Sequence, residues 1–189
     1  VSYDLATAPH GRAAAAATGL KRTNPDTLVF TYQGDGDLAS IGLAETIHAA
    51  NRGENITVIF INNGIYGMTG GQLAPTTLVG MKATTAPGGR DPKQHGYPLH
   101  MAEILNQLVA PVYIERVSFN NPANARKAKA AIRKGFQNQL DGRGYSFIEV
   151  MTSCPTNWGL NPEKSLKFLE ENMMQEFPLG VLRDKTKEA

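Results

Sequence analysis

The chain has 189 residues, 41% of them hydrophobic, enough for one buried core, so a single domain over 1–189 is expected. Nineteen Lys and Arg against seventeen Asp and Glu leave a formal charge of +2, so bulk electrostatics do not argue for nucleic acid. No apolar run approaches 18 residues, no signal peptide is visible and there is one cysteine: these exclude a helical membrane span and an internal disulfide framework, and suit a cytoplasmic protein.

In chain order, the alanine-rich residues 10–22 predict a helix. The apolar run 27–32 predicts a buried strand, followed by a loop at Gly34-Asp35-Gly36-Asp37. Residues 38–52 place Ile41, Ala44, Ile47 and Ala50 at helical spacing, and 56–61 predicts the next strand. Residues 62–98, rich in Gly, Thr and Pro, predict a long irregular segment, which in a compact domain is functional, disordered or at an interface. A helix is expected over 99–108 and an alternating strand over 112–117. Asn121-Pro122 opens a helix to about 140 that Asp141-Gly142 ends. A strand follows over 146–151, and Asn161-Pro162-Glu163 opens a last helix. The tail after Pro178 is polar and is expected to be frayed or used at an interface. Strands alternating with helices predict an α/β fold, a parallel sheet with helices on both faces.

Gly34-Asp35-Gly36 ends one predicted strand, and Asn62-Asn63 ends the next, about 25 residues later. In a parallel sheet both turns emerge at the same edge, where α/β proteins bind ligands. A carboxylate and a carboxamide there offer hard oxygens to a hard cation such as Mg2+, which takes its other ligands from water and phosphate. Gly34 and Gly36 allow close backbone approach to a diphosphate, and the following helix points its amide end at it. The same residues also read as a tight turn plus a helix cap.

This pair resembles the diphosphate-binding motif of thiamine diphosphate enzymes. The run Asn62-Asn63-Gly64-Ile65-Tyr66-Gly67-Met68-Thr69-Gly70-Gly71-Gln72, continuing to Pro75-Thr76-Thr77, resembles the β subunit of a 2-oxoacid:ferredoxin oxidoreductase. So do His10-Gly11-Arg12-Ala13, Gly89-Arg90-Asp91-Pro92 and Thr152-Ser153-Cys154-Pro155, and the likeness covers roughly residues 8–160. It implies a diphosphate-binding (PP-type) domain for thiamine diphosphate. Asp35, Asn63 and the Ile65 carbonyl would hold Mg2+. Gly34, Gly36, Asp37, Tyr66, Gly67, Met68 and Thr69 would line the cofactor, with Asp37 read equally as a helix cap.

The resemblance further implies oxidative decarboxylation of a 2-oxoacid to an acyl-CoA, with electrons passed to ferredoxin and coenzyme A as co-substrate. Its sequence details favour 2-oxoisovalerate or 2-oxoglutarate over pyruvate, and Arg90 is a candidate partner for a distal carboxylate. His10 and Arg12 are candidate active-site residues. Cys154 would be the distant fourth ligand of a [4Fe-4S] cluster whose other cysteines lie in a preceding stretch; by itself it reads as a small buried hydrophobe. The sequence opens at Val1, shortly before the His10 segment, and is read as an N-terminally truncated subunit. The activating Glu is expected from a pyrimidine-binding α subunit, so the partners implied are that subunit, further oxidoreductase subunits and ferredoxin. Arg126, Lys127, Lys129, Arg133 and Lys134 make the helix after Asn121 basic, which reads as a solvated face or as a docking face for an acidic redox partner or coenzyme A. A non-oxidative thiamine diphosphate decarboxylase subunit and a degenerate, cluster-free subunit are the alternatives.

Overall fold

The computed structural model describes residues 4–187. Helix α1 (Ala13–Thr23) leads to β1 (Phe30–Gly34), and a π-helical turn over Asp37–Ile41 runs into α2 (Leu43–Asn51) and β2 (Thr57–Asn62). Two short strands, β3 (Ile65–Tyr66) and β4 (Gln72–Leu73), and one helical turn, α3 (Pro92–His95), punctuate the next segment. Then come α4 (Met101–Asn106), β5 (Tyr113–Ser118), α5 (Pro122–Leu140) and β6 (Ser146–Met151). Short helices α6 (Pro155–Trp158) and α7 (Pro162–Phe168), a second π-helical turn over Leu169–Met173, α8 (Met174–Glu176) and strand β7 (Gly180–Asp184) follow.

The main sheet has the order β1-β2-β6-β5-β7. Its first four strands are parallel, and β7 joins antiparallel to β5. Side chains alternate across the sheet, as strand geometry requires. Val58, Phe60, Ile114 and Phe147 pack with Ala14 and Ala17 of α1, Ala49 and Ala50 of α2, and Met101 and Leu105 of α4. Ile59, Tyr113, Val117, Ile148 and Val150 pack with Ala128 and Ala131 of α5 on the other face. The expected two-sided α/β architecture is therefore present.

Helix α5 and strand β6 have the expected bounds. Asn121 accepts from the Asn124 amide at 2.8 Å with Pro122 in the first turn, a complete N-cap. Asn161 caps α7 in the same way through the Lys164 amide.

Four expectations need correction. First, β1 starts at Phe30, not 27; at Val29 the Gln139 side chain accepts from the N–H at 2.6 Å and donates to the carbonyl at 2.8 Å, and that carbonyl also accepts from the Thr57 N–H at 3.3 Å. Second, no loop follows β1: Gly36 is already right-handed helical (φ −67°, ψ −34°), so strand passes directly into a π-helical turn. Third, β5 does not behave as a half-exposed alternating strand, since five of its six residues are buried, as expected of a strand covered on both faces. Fourth, the described part of the tail after Pro178 is not frayed. It forms β7, pinned by Arg183, whose guanidinium donates to the carbonyls of Asn106, Leu108 and Pro111, and by an ion pair between Lys134 and Asp184.

Candidate functional site

The C-terminal ends of β1 and β2 lie side by side, with Gly34 in register with Ile61. Asp35 follows immediately and is 3% exposed. Its Oδ1 accepts from the Gly36 N–H at 2.9 Å; its Oδ2 accepts from the Ile65 N–H at 3.0 Å and the Thr76 hydroxyl at 2.9 Å. Asn63 Oδ1 accepts from the same Ile65 N–H at 3.1 Å. One backbone amide thus holds a carboxylate oxygen and a carboxamide oxygen together, though the two side chains are 28 positions apart in the chain.

Asp35 gains hydrogen bonds but no cationic side chain among the described residues. Burial therefore dominates and pushes its carboxyl up to about 6, against the stabilising pull of Thr76 and the backbone amides. A buried carboxylate in this condition is suited to a metal ion. Among the described residues no three His, Cys, Asp or Glu side chains gather as a metal site. The donor set that the Ile65 N–H gathers is instead one carboxylate and one carboxamide, which leaves positions for backbone, phosphate and water oxygens and fits Mg2+ bound with a diphosphate.

The two glycines have different surroundings. A Cβ on Gly34 would meet nothing within 4 Å, so this exposed face is open to a ligand. A Cβ on Gly36 would overlap the Tyr66 ring, whose hydroxyl donates to the Gly36 carbonyl at 3.3 Å. Gly36 is thus required by the close approach of Tyr66.

Other candidates fall into three groups. Gly67 lies beside the site: a Cβ there would be 3.4 Å from Cys154 Sγ and 3.6 Å from Asn63 Nδ2. Cys154 accepts from Asn157 Nδ2 at 3.2 Å, and Asn157 also donates to the Gly67 carbonyl at 2.8 Å. The Trp158 indole donates to the Asn63 carbonyl at 3.1 Å, so α6 clamps the turn from outside. Beyond it, Met68 is 99% exposed, and the Thr69 hydroxyl is bonded to the Gln72 side chain at 2.7 Å.

Asp37 faces the N-terminal segment. It accepts from the Gly11 N–H at 2.5 Å and from Gln33 Nε2 at 2.6 Å, and His10 Nδ1 lies 2.9 Å from it. Arg12 pairs with Glu45 at 2.8 Å. These contacts dock the His10–Arg12 segment onto the start of the π-helical turn.

Arg90 is displaced from the role expected of it. It is 5% exposed, and its guanidinium donates to six carbonyls, those of Ala74, Pro75, Thr77, His95, Gly96 and Tyr97. Burial lowers its pKa. With its donors spent on the backbone, Arg90 is a staple for the segment after Asn63 rather than a partner for a substrate carboxylate.

Sequence reasoning missed Thr76, the hydroxyl that reaches Asp35, although it lies inside the recognised Pro75-Thr76-Thr77 run. It also missed a buried polar network in the sheet. Asn62 Nδ2 donates to Glu149 Oε1 at 2.8 Å, Arg116 Nε donates to Glu149 Oε2 at 2.9 Å, and Arg116 reaches Glu103 of α4 at 2.5–2.8 Å. A charged residue inside each of the apolar runs of β5 and β6 was the available signal.

Comparison with known proteins shows which family the chain matches. Residues 3–150 match the family model described as thiamine pyrophosphate enzyme, C-terminal TPP binding domain. The chain is 56% identical over 179 residues to ketoisovalerate oxidoreductase subunit VorA of Methanothermobacter marburgensis, covering 95% of this chain and 37% of that protein. It is 41% identical over 170 residues to 2-oxoglutarate synthase subunit KorB of Methanocaldococcus jannaschii, covering 86% and 58%. The chain thus spans roughly two to three fifths of the length of these relatives. A solved structure of the 2-oxoglutarate:ferredoxin oxidoreductase from Magnetococcus marinus, with 2-oxoglutarate, coenzyme A and succinyl-CoA bound, superposes with a TM-score of 0.71 at 26% identity, covering 93% of this chain and 62% of that one.

Proposed function

The chain belongs to the family of thiamine pyrophosphate enzyme C-terminal TPP-binding domains, and on that premise we propose that it is the diphosphate-binding part of a CoA-acylating 2-oxoacid:ferredoxin oxidoreductase subunit. The observation that carries the reading is the Ile65 N–H, which brings Asp35 and Asn63 oxygens together beside the open face of Gly34. Asp35, Asn63 and the Ile65 carbonyl would hold Mg2+, which would supply the charge that anchors the cofactor diphosphate. Thiamine diphosphate, when bound, supplies a nucleophilic thiazolium carbon for a 2-oxoacid. The chain's own residues fix the diphosphate end: Thr76 orients the Asp35 carboxylate, and Tyr66 closes over Gly36.

The substrate proposed is 2-oxoisovalerate. Two observations favour it over 2-oxoglutarate: identity is higher to the ketoisovalerate relative than to the 2-oxoglutarate one, and Arg90 has no donor left for a distal carboxylate. Ferredoxin is the electron acceptor and coenzyme A the acyl acceptor. Partner subunits supply the pyrimidine-binding half and its activating Glu, and the assembly works in the cytoplasm. Among the described residues no helix is long and apolar enough to cross a membrane. Cys154, beside Gly67, supplies one thiolate to a [4Fe-4S] cluster in the intact protein. A cluster takes four such ligands, so the other three come from outside this sequence.

The test is anaerobic viologen reduction by the intact subunit assembled with its partners, with iron measured alongside. The panel is 2-oxoisovalerate, 2-oxoglutarate, indolepyruvate and pyruvate, each with and without coenzyme A and thiamine diphosphate. Reduction that requires both cofactors and is fastest with 2-oxoisovalerate is expected. Cofactor-dependent release of carbon dioxide without viologen reduction would replace this reading with a non-oxidative decarboxylase; an iron-free preparation would remove Cys154 from it.

A further inference from the structure

Glu149 and Arg116 are 0% and 1% exposed on neighbouring parallel strands, Arg116 in register with Glu149. An ion pair withdrawn this far from water is weak grounds for stability, because desolvation offsets most of the attraction and well-packed apolar residues serve as well. What sets this pair apart is its third partner. Asn62 spends both ends of its amide: Nδ2 donates to Glu149 Oε1 at 2.8 Å, and Oδ1 accepts from the Gly64 N–H at 3.2 Å. Gly64 lies between Asn63 and Ile65 in the turn that carries the magnesium oxygens. The carboxylate of Glu149 is fixed in turn by Arg116 Nε at 2.9 Å. Arg116 is held by both oxygens of Glu103 on α4, by the Pro178 carbonyl at 3.2 Å, and by the Phe177 ring, whose centroid lies 5.4 Å from its guanidinium carbon. A continuous path of hydrogen bonds therefore joins α4 and the C-terminal segment to the ligand turn.

We propose that Glu149 and Arg116 are positioning residues for the magnesium–diphosphate turn, acting through the Asn62 amide. This rests on the functional reading above. The Asn62 side chain sets where the Gly64 N–H points, and so where the Ile65 N–H presents the two oxygens of Asp35 and Asn63. Without Glu149 the Asn62 amide loses the partner that holds its rotamer, and the turn samples geometries in which the oxygens diverge.

The experiment measures the Mg2+ concentration that half-saturates thiamine diphosphate binding, by calorimetric titration of the full-length subunit assembled with its partners, together with the melting temperature. The variants are Glu149→Gln, Asn62→Ser and, as a control on the same sheet face, Val58→Ala, which weakens packing without touching the network. Asn62→Ser leaves the Glu149–Arg116 pair intact, so it decides alone should Glu149→Gln not assemble. The expected result is a rise of roughly tenfold in half-saturating Mg2+ for both network variants, the order seen when an outer partner of a metal site is replaced. Val58→Ala should lower the melting temperature with the magnesium requirement unchanged. Network variants that match the wild type, or a control that shifts as far as they do, would overturn the positioning role. Wild-type binding indifferent to Mg2+, or an Asp35→Asn variant that keeps magnesium dependence, would overturn the reading of the site itself and this inference with it.

Discussion

Asp35 is costly to the fold unless a cation is bound. Its ordinary carboxyl pKa of 3.8 is raised by burial to about 6. Between these values the folded protein retains a proton that the unfolded chain has released, so stability of the metal-free protein falls as pH rises from about 4 to about 6, then levels off. Asp35→Asn removes the buried charge but turns an amide NH2 toward one of the donors that the carboxylate satisfied, a cost of about 1–3 kcal/mol that offsets the gain: at pH 7.5 the metal-free melting temperature should change little, while magnesium-dependent retention of thiamine diphosphate is lost. A clear fall in melting temperature would contradict the burial argument. Because Mg2+ competes with the proton for the same oxygens, wild-type affinity should drop by about tenfold per pH unit below pH 6; a flat profile from pH 7 to pH 5 would remove Asp35 from the site.

At the scale of elements, the segment from Asn63 to Leu99 shows how a chain with little regular structure is ordered. Arg90 gathers six carbonyls from both sides of the segment, and Thr77 donates to the Gly64 carbonyl at 2.6 Å, so the segment folds back over the ligand turn and delivers Thr76 to Asp35. A guanidinium supplies five N–H donors in a fixed fork, which an ammonium does not. Arg90→Met should cost about 3 kcal/mol or more and open the stretch between residues 74 and 97 to limited proteolysis. Arg90→Lys should not rescue it. A protease-resistant Arg90→Met subunit with unchanged melting temperature would return Arg90 to consideration as a substrate-facing residue.

At the scale of the whole molecule, the sheet has two unlike edges. Strand β1 forms one, with Phe30 and Tyr32 exposed. At the other, β7 covers β5 and is tied down by Arg183 and by the pair between Lys134 and Asp184. An uncovered strand presents unpaired N–H and C=O groups that recruit other chains. Truncating the intact subunit after Pro178 should therefore lower its melting temperature by about 5 °C or more and make it aggregate on heating, as followed by light scattering. A truncated subunit that melts like the full one would show β7 to be dispensable.

The sequence by itself determined what depends on neighbours a few positions away. The Asn-Pro caps of α5 and α7, the bounds of β6 and the spacing that brings Asp35 and Asn63 to one sheet edge are local chemistry or the period of an element. The family resemblance, not local patterning, singled out His10 and Cys154, and only the fold brings them to Asp37 and Gly67. Only the tertiary structure decided the rest. The Val29 N–H turns to the side chain of Gln139, 110 positions away, while its carbonyl still accepts from the Thr57 N–H of β2. Thr76 reaches Asp35 across 41 positions. Arg90 turns inward because six carbonyls converge on it. β7 becomes a strand because β5 offers it an open edge. Hydrogen bonds between residues distant in the chain form only when the fold brings them together, and pattern along the sequence carries no record of which partners will meet.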